Sequence, residues 1–315
     1  MVKRDYLWVE KYRPKHIADC ILPSDLKTTF QKFVDTREVP NLLLSGGPGV
    51  GKTTVARAML EEIGADYIVI NGSMRGNIDT LRVDIQAFAS TVSMVSTGRK
   101  YVILDEADYL NAQSTQPALR NFMEEYSNNC GFILTCNFKS RIITPLQSRC
   151  SVIDFAISRD EKQGIAQSFF KRVRSILAEE GIEKYDVKAI GALITKHFPD
   201  WRRVLNELQR YGINGEINIG ILSKIANDDI TDLVKLLKAK DFVGMRRWVG
   251  HNSTIDSTTM FRRLYDSASN VIKPTTIPNL VMILADYQYK AAFVADQEVN
   301  MAACLTAIMT ECDFV

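Results

Sequence analysis

Residues 46–53 have the spacing of a phosphate-binding loop. Their sequence, G-G-P-G-V-G-K-T, fits the pattern G-x-x-x-x-G-K-[ST] and stands between an apolar run and a segment with helical period. Glycines allow backbone N–H groups to surround phosphate oxygens, and the following helix adds the positive end of its dipole. We therefore expect Lys52 to reach the β- and γ-phosphates of ATP and the Thr53 hydroxyl to bind Mg²⁺.

Two acidic residues end another apolar run, in Y-V-I-L-D-E at 101–106. Asp105 is suited to holding Mg²⁺, and Glu106 to orienting and polarising an attacking water molecule. Asn137 ends the next apolar run, where it would help to position that water. Arg202 begins a helical pattern in F-P-D-W-R-R-V-L-N-E-L at 198–208 and would fold over the γ-phosphate. An intact Glu106 indicates hydrolysis rather than binding alone.

The letters D-E-A-D at 105–108 are also typical of DEAD-box helicases. That family needs a second α/β motor domain and an S-A-T motif after the acids. The second half of this chain has helical patterns instead, and the motif is missing. The helicase interpretation is therefore not favoured.

The elements that must position these side chains alternate between strand and helix in the first half of the chain. Short apolar runs predict strands at 41–46, 66–71, 100–105, 131–137 and 152–155. Helical periods lie between them, at 53–63, 78–88 and 117–126. Strands without a polar face are typical of a parallel sheet that is covered on both sides by helices.

After about Ser158 the strands are expected to stop. Amphipathic helical patterns follow at 160–180, 187–197 and 201–211, and the chain is helical from about residue 228 to its end. The sequence thus predicts an α/β phosphate-loop ATPase domain at 1–157, a small helical lid domain at 158–227, and an all-α C-terminal domain at 228–315.

Composition is that of a globular protein with more than one core. The chain has 315 residues, 46% hydrophobic residues and a formal net charge of +2, so a nucleic-acid site would be a local patch. The six cysteines form no C-x-x-C pair, which predicts buried reduced thiols. The N-terminus has no apolar signal core, and no apolar run approaches membrane-spanning length. We expect a cytoplasmic protein without a membrane partner.

Taken in their order along the chain, the phosphate-binding loop, the two acids, Asn137 and Arg202 resemble the motifs of the AAA+ ATPases. The opening L-W-V-E-K-Y-R-P at 7–14 resembles the N-terminal signature of sliding-clamp loader subunits, as do T-C-N at 135–137, P-L-Q-S-R-C at 145–150 and D-W-R-R-V-L-N-E-L at 200–208. The tail, with A-D-Y-Q-Y-K-A at 285–291, resembles the helical collar of that family more loosely. Residues 18–23, A-D-C-I-L-P, stand where replication factor C small subunits have V-G-Q, which favours the large subunit of the tailed-phage loader.

The resemblance implies roles for matching positions. Ile21 would cover the adenine base, Asn137 resembles sensor 1, and Arg202 resembles sensor 2. The adenine side would be formed by Val9, Glu10, Lys11, Tyr12, Arg13 and Pro14, and the phosphates would be held by Gly49, Val50, Gly51, Lys52, Thr53 and Thr54.

The resemblance also implies a role for the arginine of S-R-C. In the family this arginine is a finger supplied in trans, so Arg149 would point into the ATP site of a neighbouring subunit and stabilise charge on the γ-phosphate. The alternative is a local salt bridge near the strand that follows. Arg120 is a further candidate for coupling subunits, although an ordinary structural role is favoured for it.

The partners implied by the family are like subunits in a ring or spiral, a small non-identical loader subunit, a ring-shaped sliding clamp and primer–template DNA. Residues 111–117 would face the clamp. Candidate DNA contacts are four basic residues near helix starts or loops, each of which could equally be a solvated charge: Arg75, Arg82, Lys139 and Arg141. Relatives in replication factor C carry a basic residue at the position of Gly76 that couples DNA to the catalytic acid, and Arg75 stands beside it.

The function implied is that of a motor subunit. ATP binding would drive clamp opening and primer–template binding, and hydrolysis triggered by DNA would release the clamp, in the host-cell cytoplasm if a phage encodes the chain. Two alternatives are a non-hydrolysing scaffold subunit of the same complex and another AAA+ remodeller, such as a helicase loader. Four intact residues weigh against the scaffold: Lys52, Asp105, Glu106 and Arg149. The W-V-E-K-Y-R-P signature and the collar-like tail weigh against the remodeller.

Overall fold

The computed structural model describes residues 6–74, 78–91, 98–213, 215–217, 231–252 and 256–315. Arg75 and Gly76 lie outside these residues. The chain divides into two compact units, Met1–Leu222 and Ser223–Val315. The predicted domain boundaries, after residues 157 and 227, stay predictions.

A five-stranded parallel sheet forms the centre of the first unit. Its strands are β1 (Leu42–Ser45), β2 (Tyr67–Asn71), β3 (Lys100–Asp105), β4 (Cys130–Cys136) and β5 (Ser151–Asp154), in the order β2-β3-β4-β1-β5. In register, Leu44 pairs with Thr135 on one side of β1 and with Ile153 on the other. The α/β fold with a parallel sheet is confirmed.

Helices cover both faces of this sheet. They are α2 (Ser24–Thr36), α3 (Lys52–Ile63), α4 (Ile78–Ala89), α5 (Thr115–Glu125) and α6 (Thr144–Gln147). The single-turn helix α1 (Trp8–Lys11) precedes them in the chain. Successive side chains of a strand point to opposite faces. Leu42 and Leu44 therefore pack in one core with α2 and α3, whereas Leu43 packs in the other with α4 and α5. Pro117 is the third residue of α5, in the first turn, where proline is tolerated.

Three further helices of the first unit follow the sheet: α7 (Lys162–Glu179), α8 (Val187–His197) and α9 (Trp201–Gly212). Asp186 and Asp200 cap α8 and α9 by accepting backbone N–H bonds. The expectation that strands stop after Ser158 was wrong. Two two-residue strands, β6 (Lys184–Tyr185) and β7 (Glu216–Ile217), pair in parallel. They are too short to give a periodic pattern in the sequence.

The second unit is helical over its described residues. Its helices are α10 (Thr231–Lys238), α11 (Phe242–His251), α12 (Ser257–Val271), α13 (Ile277–Ala291) and α14 (Gln297–Glu311). Leu237, Met245, Leu264, Leu284 and Leu305 lie in one buried core. Within the described ranges of the chain, no helix is long and apolar enough to cross a membrane.

Candidate active site

The phosphate-binding loop connects the end of β1 to the start of α3. Two of its glycines need a left-handed backbone, since φ is +71° at Gly49 and +98° at Gly51. A Cβ atom at Gly49 would also stand 1.8 Å from Oδ1 of Asp200, the residue that caps α9. The backbone N–H of Trp201 donates to the Gly49 carbonyl at 3.2 Å. The loop is therefore packed directly against the start of α9.

Lys52 is a buried cation with neutral partners. Its ammonium donates to the carbonyl oxygens of Gly46 and Gly47, both at 2.7 Å, and to Oδ1 of Asn137 at 2.8 Å. Only 8% of Lys52 is exposed, and burial lowers the pKa of its ammonium. A buried charge without a bonded counter-ion is costly. The site is thus electrostatically suited to an anion such as the terminal phosphates of a nucleotide.

Asp105 accepts two hydroxyl hydrogen bonds on a single oxygen. Its Oδ1 lies 2.5 Å from Oγ1 of Thr53 and 2.6 Å from Oγ1 of Thr135. Thr135 in turn accepts a bond from the backbone N–H of Glu106 at 3.1 Å. Glu106 has φ +56°, in the left-handed region. The network fixes the backbone of the catalytic candidate Glu106 through two neighbouring strands.

The hydroxyl of Thr53 and the carboxylate of Asp105 fit a magnesium ion. Both are hard oxygen donors, and a few protein oxygens completed by substrate phosphates and water are the set that Mg²⁺ prefers. The two oxygens already lie within hydrogen-bond distance, at the carboxyl end of the sheet beside the phosphate loop.

A cavity of about 310 Å³ opens from this loop. It is lined by most of the residues predicted to bind the nucleotide or to act on it: Val9, Glu10, Tyr12, Arg13, Pro14, Ile21, Gly49, Val50, Gly51, Lys52, Thr53, Thr54, Asp105, Glu106, Asn137 and Arg202. Lys11 is not among the lining residues. Its ammonium lies 2.7 Å from Oε1 of Glu180, and its predicted place on the adenine side stays a prediction.

Sequence reasoning missed much of the wall on the side of α7 and α9. Trp201 stacks on Phe169, with ring centroids 4.3 Å apart, and both line the cavity. Asn71 at the end of β2 and Thr135 on β4 also line it. Further lining residues are Asp19, Cys20, Leu22, Arg172, Ile176 and Leu205. Six of these residues stood in motifs quoted from the sequence, but without a predicted place in the site: Asp19, Cys20, Leu22, Thr135, Trp201 and Leu205. The other four, Asn71, Phe169, Arg172 and Ile176, lie in predicted strands or helices, and periodicity gave no signal that they line a cavity.

Comparison with known proteins identifies the family of the chain. Residues 42–157 match the model of the ATPase family associated with various cellular activities, and residues 161–223 match that of the AAA+ lid domain of the sliding-clamp-loader large subunit. The sliding-clamp-loader large subunit of Enterobacteria phage T4 is 36% identical over 305 residues, covering 95% of this chain and 94% of that protein.

The chain belongs to the sliding-clamp-loader family of AAA+ ATPases.

Other relatives agree with this assignment. The large subunit from Escherichia phage RB69 is 39% identical over 247 residues, covering 77% of each chain. The replication factor C small subunit of Sulfurisphaera tokodaii is 29% identical, covering 98% of this chain and 96% of that protein. The resemblance to the phage type is confirmed. In fold, a solved structure of the Thermotoga maritima RuvB Holliday junction branch migration motor is similar, with a TM-score of 0.51, 19% identity and coverage of 72% of this chain and 78% of that one.

Arg149 of this clamp-loader subunit lies outside its own cavity. It lies in the short turn between α6 and β5, and its side chain is about one-third exposed. Its Nε donates to Oε1 of Glu124 at 2.8 Å, its Nη2 donates to the same oxygen, and its Nη1 donates to the carbonyl of Pro145 at 3.1 Å. The hydrogen bonds and charge of Arg149 lower the pKa of Glu124. Within this one chain, the predicted finger therefore forms a local salt bridge.

The predicted DNA contacts of the clamp loader lie on two elements. Lys139 and Arg141 belong to one 3₁₀ turn that begins two residues after Asn137, and the Arg141 guanidinium lies 4.7 Å from the centroid of the exposed Phe138 ring. Arg82 is exposed on α4. The structure thus brings Lys139 and Arg141 together and places Arg82 on a separate helix.

Proposed function

We propose that this clamp-loader chain is a motor subunit whose ATP site is completed by Arg149 of a neighbouring copy. In this proposal, ATP binding assembles a spiral of subunits that opens a ring-shaped clamp at primer–template DNA. DNA then stimulates Mg²⁺-dependent hydrolysis, which releases the clamp. The observation that supports this proposal is the position of Arg149 relative to the sheet.

Arg149 and the phosphate loop of the same chain lie beyond opposite ends of neighbouring parallel strands. The N–H of Ser151, at the start of β5, donates to the carbonyl of Asn41, just before β1. Arg149 lies before this point, whereas the loop begins after Ser45 at the far end of β1. At about 3.3 Å per residue, β1 alone separates the two ends by about 10 Å. This separation supports the action of Arg149 on another subunit.

Six of the lining residues have a stated task in this proposal. Lys52 neutralises the terminal phosphates, and Asn137, which shares a hydrogen bond with Lys52, senses the γ-phosphate and positions water. Glu106 accepts a proton from that water as it attacks. A magnesium ion held by Thr53 and Asp105 would supply charge stabilisation on the phosphate oxygens. Arg202, at the start of α9, adds positive charge from the lid side.

The salt bridge between Arg149 and Glu124 does not oppose an action in trans. Both side chains are partly exposed, and exposed ion pairs contribute little to stability. A γ-phosphate in a water-excluded interface is a stronger partner for a guanidinium. Arg82, Lys139 and Arg141 are the proposed DNA contacts from the described residues, through phosphates and without sequence preference.

The specific alternative is that Arg149 serves its own chain through Glu124. A mixing experiment separates the two. Lys52→Ala and Arg149→Ala chains are each expected to lose DNA-stimulated hydrolysis in the presence of the clamp and the second loader subunit. Mixed together, they should regain activity, because an intact phosphate loop then meets an intact arginine. The exposed Arg159, replaced by alanine, is the matched control and should leave hydrolysis unchanged.

A mixture that stays inactive, although mixed complexes form, would refute the trans arrangement. A local role would also make Arg149→Ala and Glu124→Ala equally destabilising in the isolated chain, as measured by urea unfolding. In the proposed arrangement, both variants are expected to unfold close to the midpoint of the unaltered protein.

A further inference from the structure

The N-terminal segment, residues 6–14, forms one wall of the nucleotide cavity. Its residues Val9, Tyr12 and Pro14 line the cavity. Trp8 and Tyr12 are buried, with 6% and 8% of their surface exposed. A segment with only one helical turn is not stable by itself, so its position depends on contacts with side chains from other parts of the chain.

Glu180, at the C-terminal end of α7, is the centre of one such attachment. A single oxygen of its carboxylate, Oε1, accepts hydrogen bonds from the Tyr12 hydroxyl at 2.6 Å and from the Lys11 ammonium at 2.7 Å. Burial raises the pKa of Glu180, but the bonds from Lys11 and Tyr12 outweigh it, and the net pKa is lowered. The carboxylate is therefore charged at neutral pH and bonds as an anion.

Two more residues of the lid helices hold the same segment. The amide of Gln209 on α9 accepts from the N–H of Trp8 at 3.0 Å and donates to the carbonyl of Tyr6 at 2.7 Å. The guanidinium of Arg172 on α7 lies 3.4 Å from the carbonyl of Tyr12. These bonds join residues that are 160 to 203 positions apart in the chain.

We infer that Glu180 is a positioning residue for the ATP site: through Tyr12 and Lys11 it holds the N-terminal segment in the conformation that receives the base. The inference rests on the proposed ATP site. Glu180 itself does not line the cavity and acts only through residues that do, or that flank them. Its bonds are charge-assisted, and such bonds are about twice as strong as neutral ones.

The expected change in ATP affinity follows from the fraction of molecules whose N-terminal segment is in the position that receives the base. When only a fraction of molecules holds the segment in place, the apparent Kd rises by the inverse of that fraction. If loss of the carboxylate leaves about one molecule in ten with the segment in place, the Kd for ATP rises about tenfold. A ligand that contacts only the phosphate loop should not be affected, because Lys52 and the loop glycines do not depend on this attachment.

The test compares ligands with and without a base. Calorimetric titration of the full chain with a nonhydrolysable ATP analogue is repeated with inorganic tripolyphosphate. Glu180→Ala should weaken binding of the analogue about tenfold, while binding of tripolyphosphate changes less than about twofold. Glu180→Gln, which keeps a neutral acceptor for Tyr12, should fall between. Glu179→Ala, an exposed glutamate one residue earlier, is the control and should bind both ligands normally.

A double-mutant cycle tests whether Glu180 acts through Tyr12. Tyr12→Phe removes the same hydrogen bond from the other side, so adding it to Glu180→Ala should weaken the analogue by much less than the product of the two single effects. If the effects of the two substitutions on analogue binding simply multiply, Glu180 and Tyr12 act independently. That result would overturn the inference. Equal losses of affinity for the analogue and for tripolyphosphate would also overturn it, because they would indicate damage to the site as a whole.

This experiment requires neither DNA, clamp nor hydrolysis. If the proposed motor mechanism is wrong, the expected result of this binding experiment does not change. Failure of the ATP site itself would appear differently, as absence of analogue binding in the unaltered chain.

Discussion

Replacing Gly49 with alanine is expected to lower the free energy of unfolding of the first unit by about 1.5–4 kcal/mol, as the sum of two effects. The first is backbone conformation: φ is +71°, and a residue with a Cβ atom costs about 1–2 kcal/mol there. The second is contact, because the Cβ atom would lie 1.8 Å from Oδ1 of Asp200. That oxygen accepts the N–H of Arg203 at 3.0 Å, and a lost helix cap costs about 0.5–2 kcal/mol.

Two other glycines of the loop separate these effects. At Gly51, φ is +98° but nothing lies within 4 Å of a built Cβ, so Gly51→Ala should show the conformational cost alone. Gly47 has neither a positive φ nor a neighbour within 4 Å, and Gly47→Ala is the control. Urea unfolding without nucleotide, followed by tryptophan fluorescence, measures the series, since Trp8 and Trp201 report on the first unit.

The expected order of destabilisation is Gly49→Ala, then Gly51→Ala, then Gly47→Ala. For a unit of this size, about 1 kcal/mol corresponds to about 2–4 °C in Tm, so Gly49→Ala should melt roughly 3–16 °C lower. Equal stability of the Gly49 and Gly51 variants would refute the role of Asp200. Equal stability of the Gly49 and Gly47 variants would refute the whole argument.

Two further predictions concern the centre of the site. Burial lowers the pKa of Lys52 and a bound triphosphate should raise it again, so nucleotide binding is expected to take up protons at alkaline pH and to weaken as pH rises through the lowered pKa. Calorimetry in two buffers of different ionisation enthalpy checks this, and equal heats in both would contradict it. Thr135→Val should cost about 1–3 kcal/mol and reduce the Mg²⁺ dependence of nucleotide affinity, because the Glu106 N–H loses its acceptor and Asp105 loses a donor. Unfolding and binding titrations measure both effects, with the exposed Thr144→Val as control; an unchanged Mg²⁺ dependence would show that Thr135 does not position Asp105.

The sheet and the phosphate end of the site were predictable because their signals are local. Buried parallel strands are continuous apolar runs, and parallel strands end at one edge of the sheet, so Lys52, Asp105 and Asn137 had to meet. The loop pattern also needs glycines where φ is positive, which made Gly49 and Gly51 recognisable.

The base end of the site was less predictable because its signals are distant in sequence. Phe169 and Arg172 lie on an amphipathic helix, and periodicity does not reveal which of its residues meet a ligand. The bonds of Glu180 cross at least 168 positions. Lys11 stands among residues that do line the cavity, and only its bond to Glu180, 169 positions away, shows a different contact for its side chain.

The opposite placement of Arg149 and the phosphate loop gives each subunit a front and a back. A contact that joins the front of one copy to the back of the next is heterologous, and a row of such copies stays open unless its rotation closes a ring. If Arg149 acts in trans as proposed, every ATP site of an open arc except the one at an end receives an arginine from a neighbour. In that arrangement a different protein at that end would decide whether the last site works, so the number of active sites would depend on what terminates the arc.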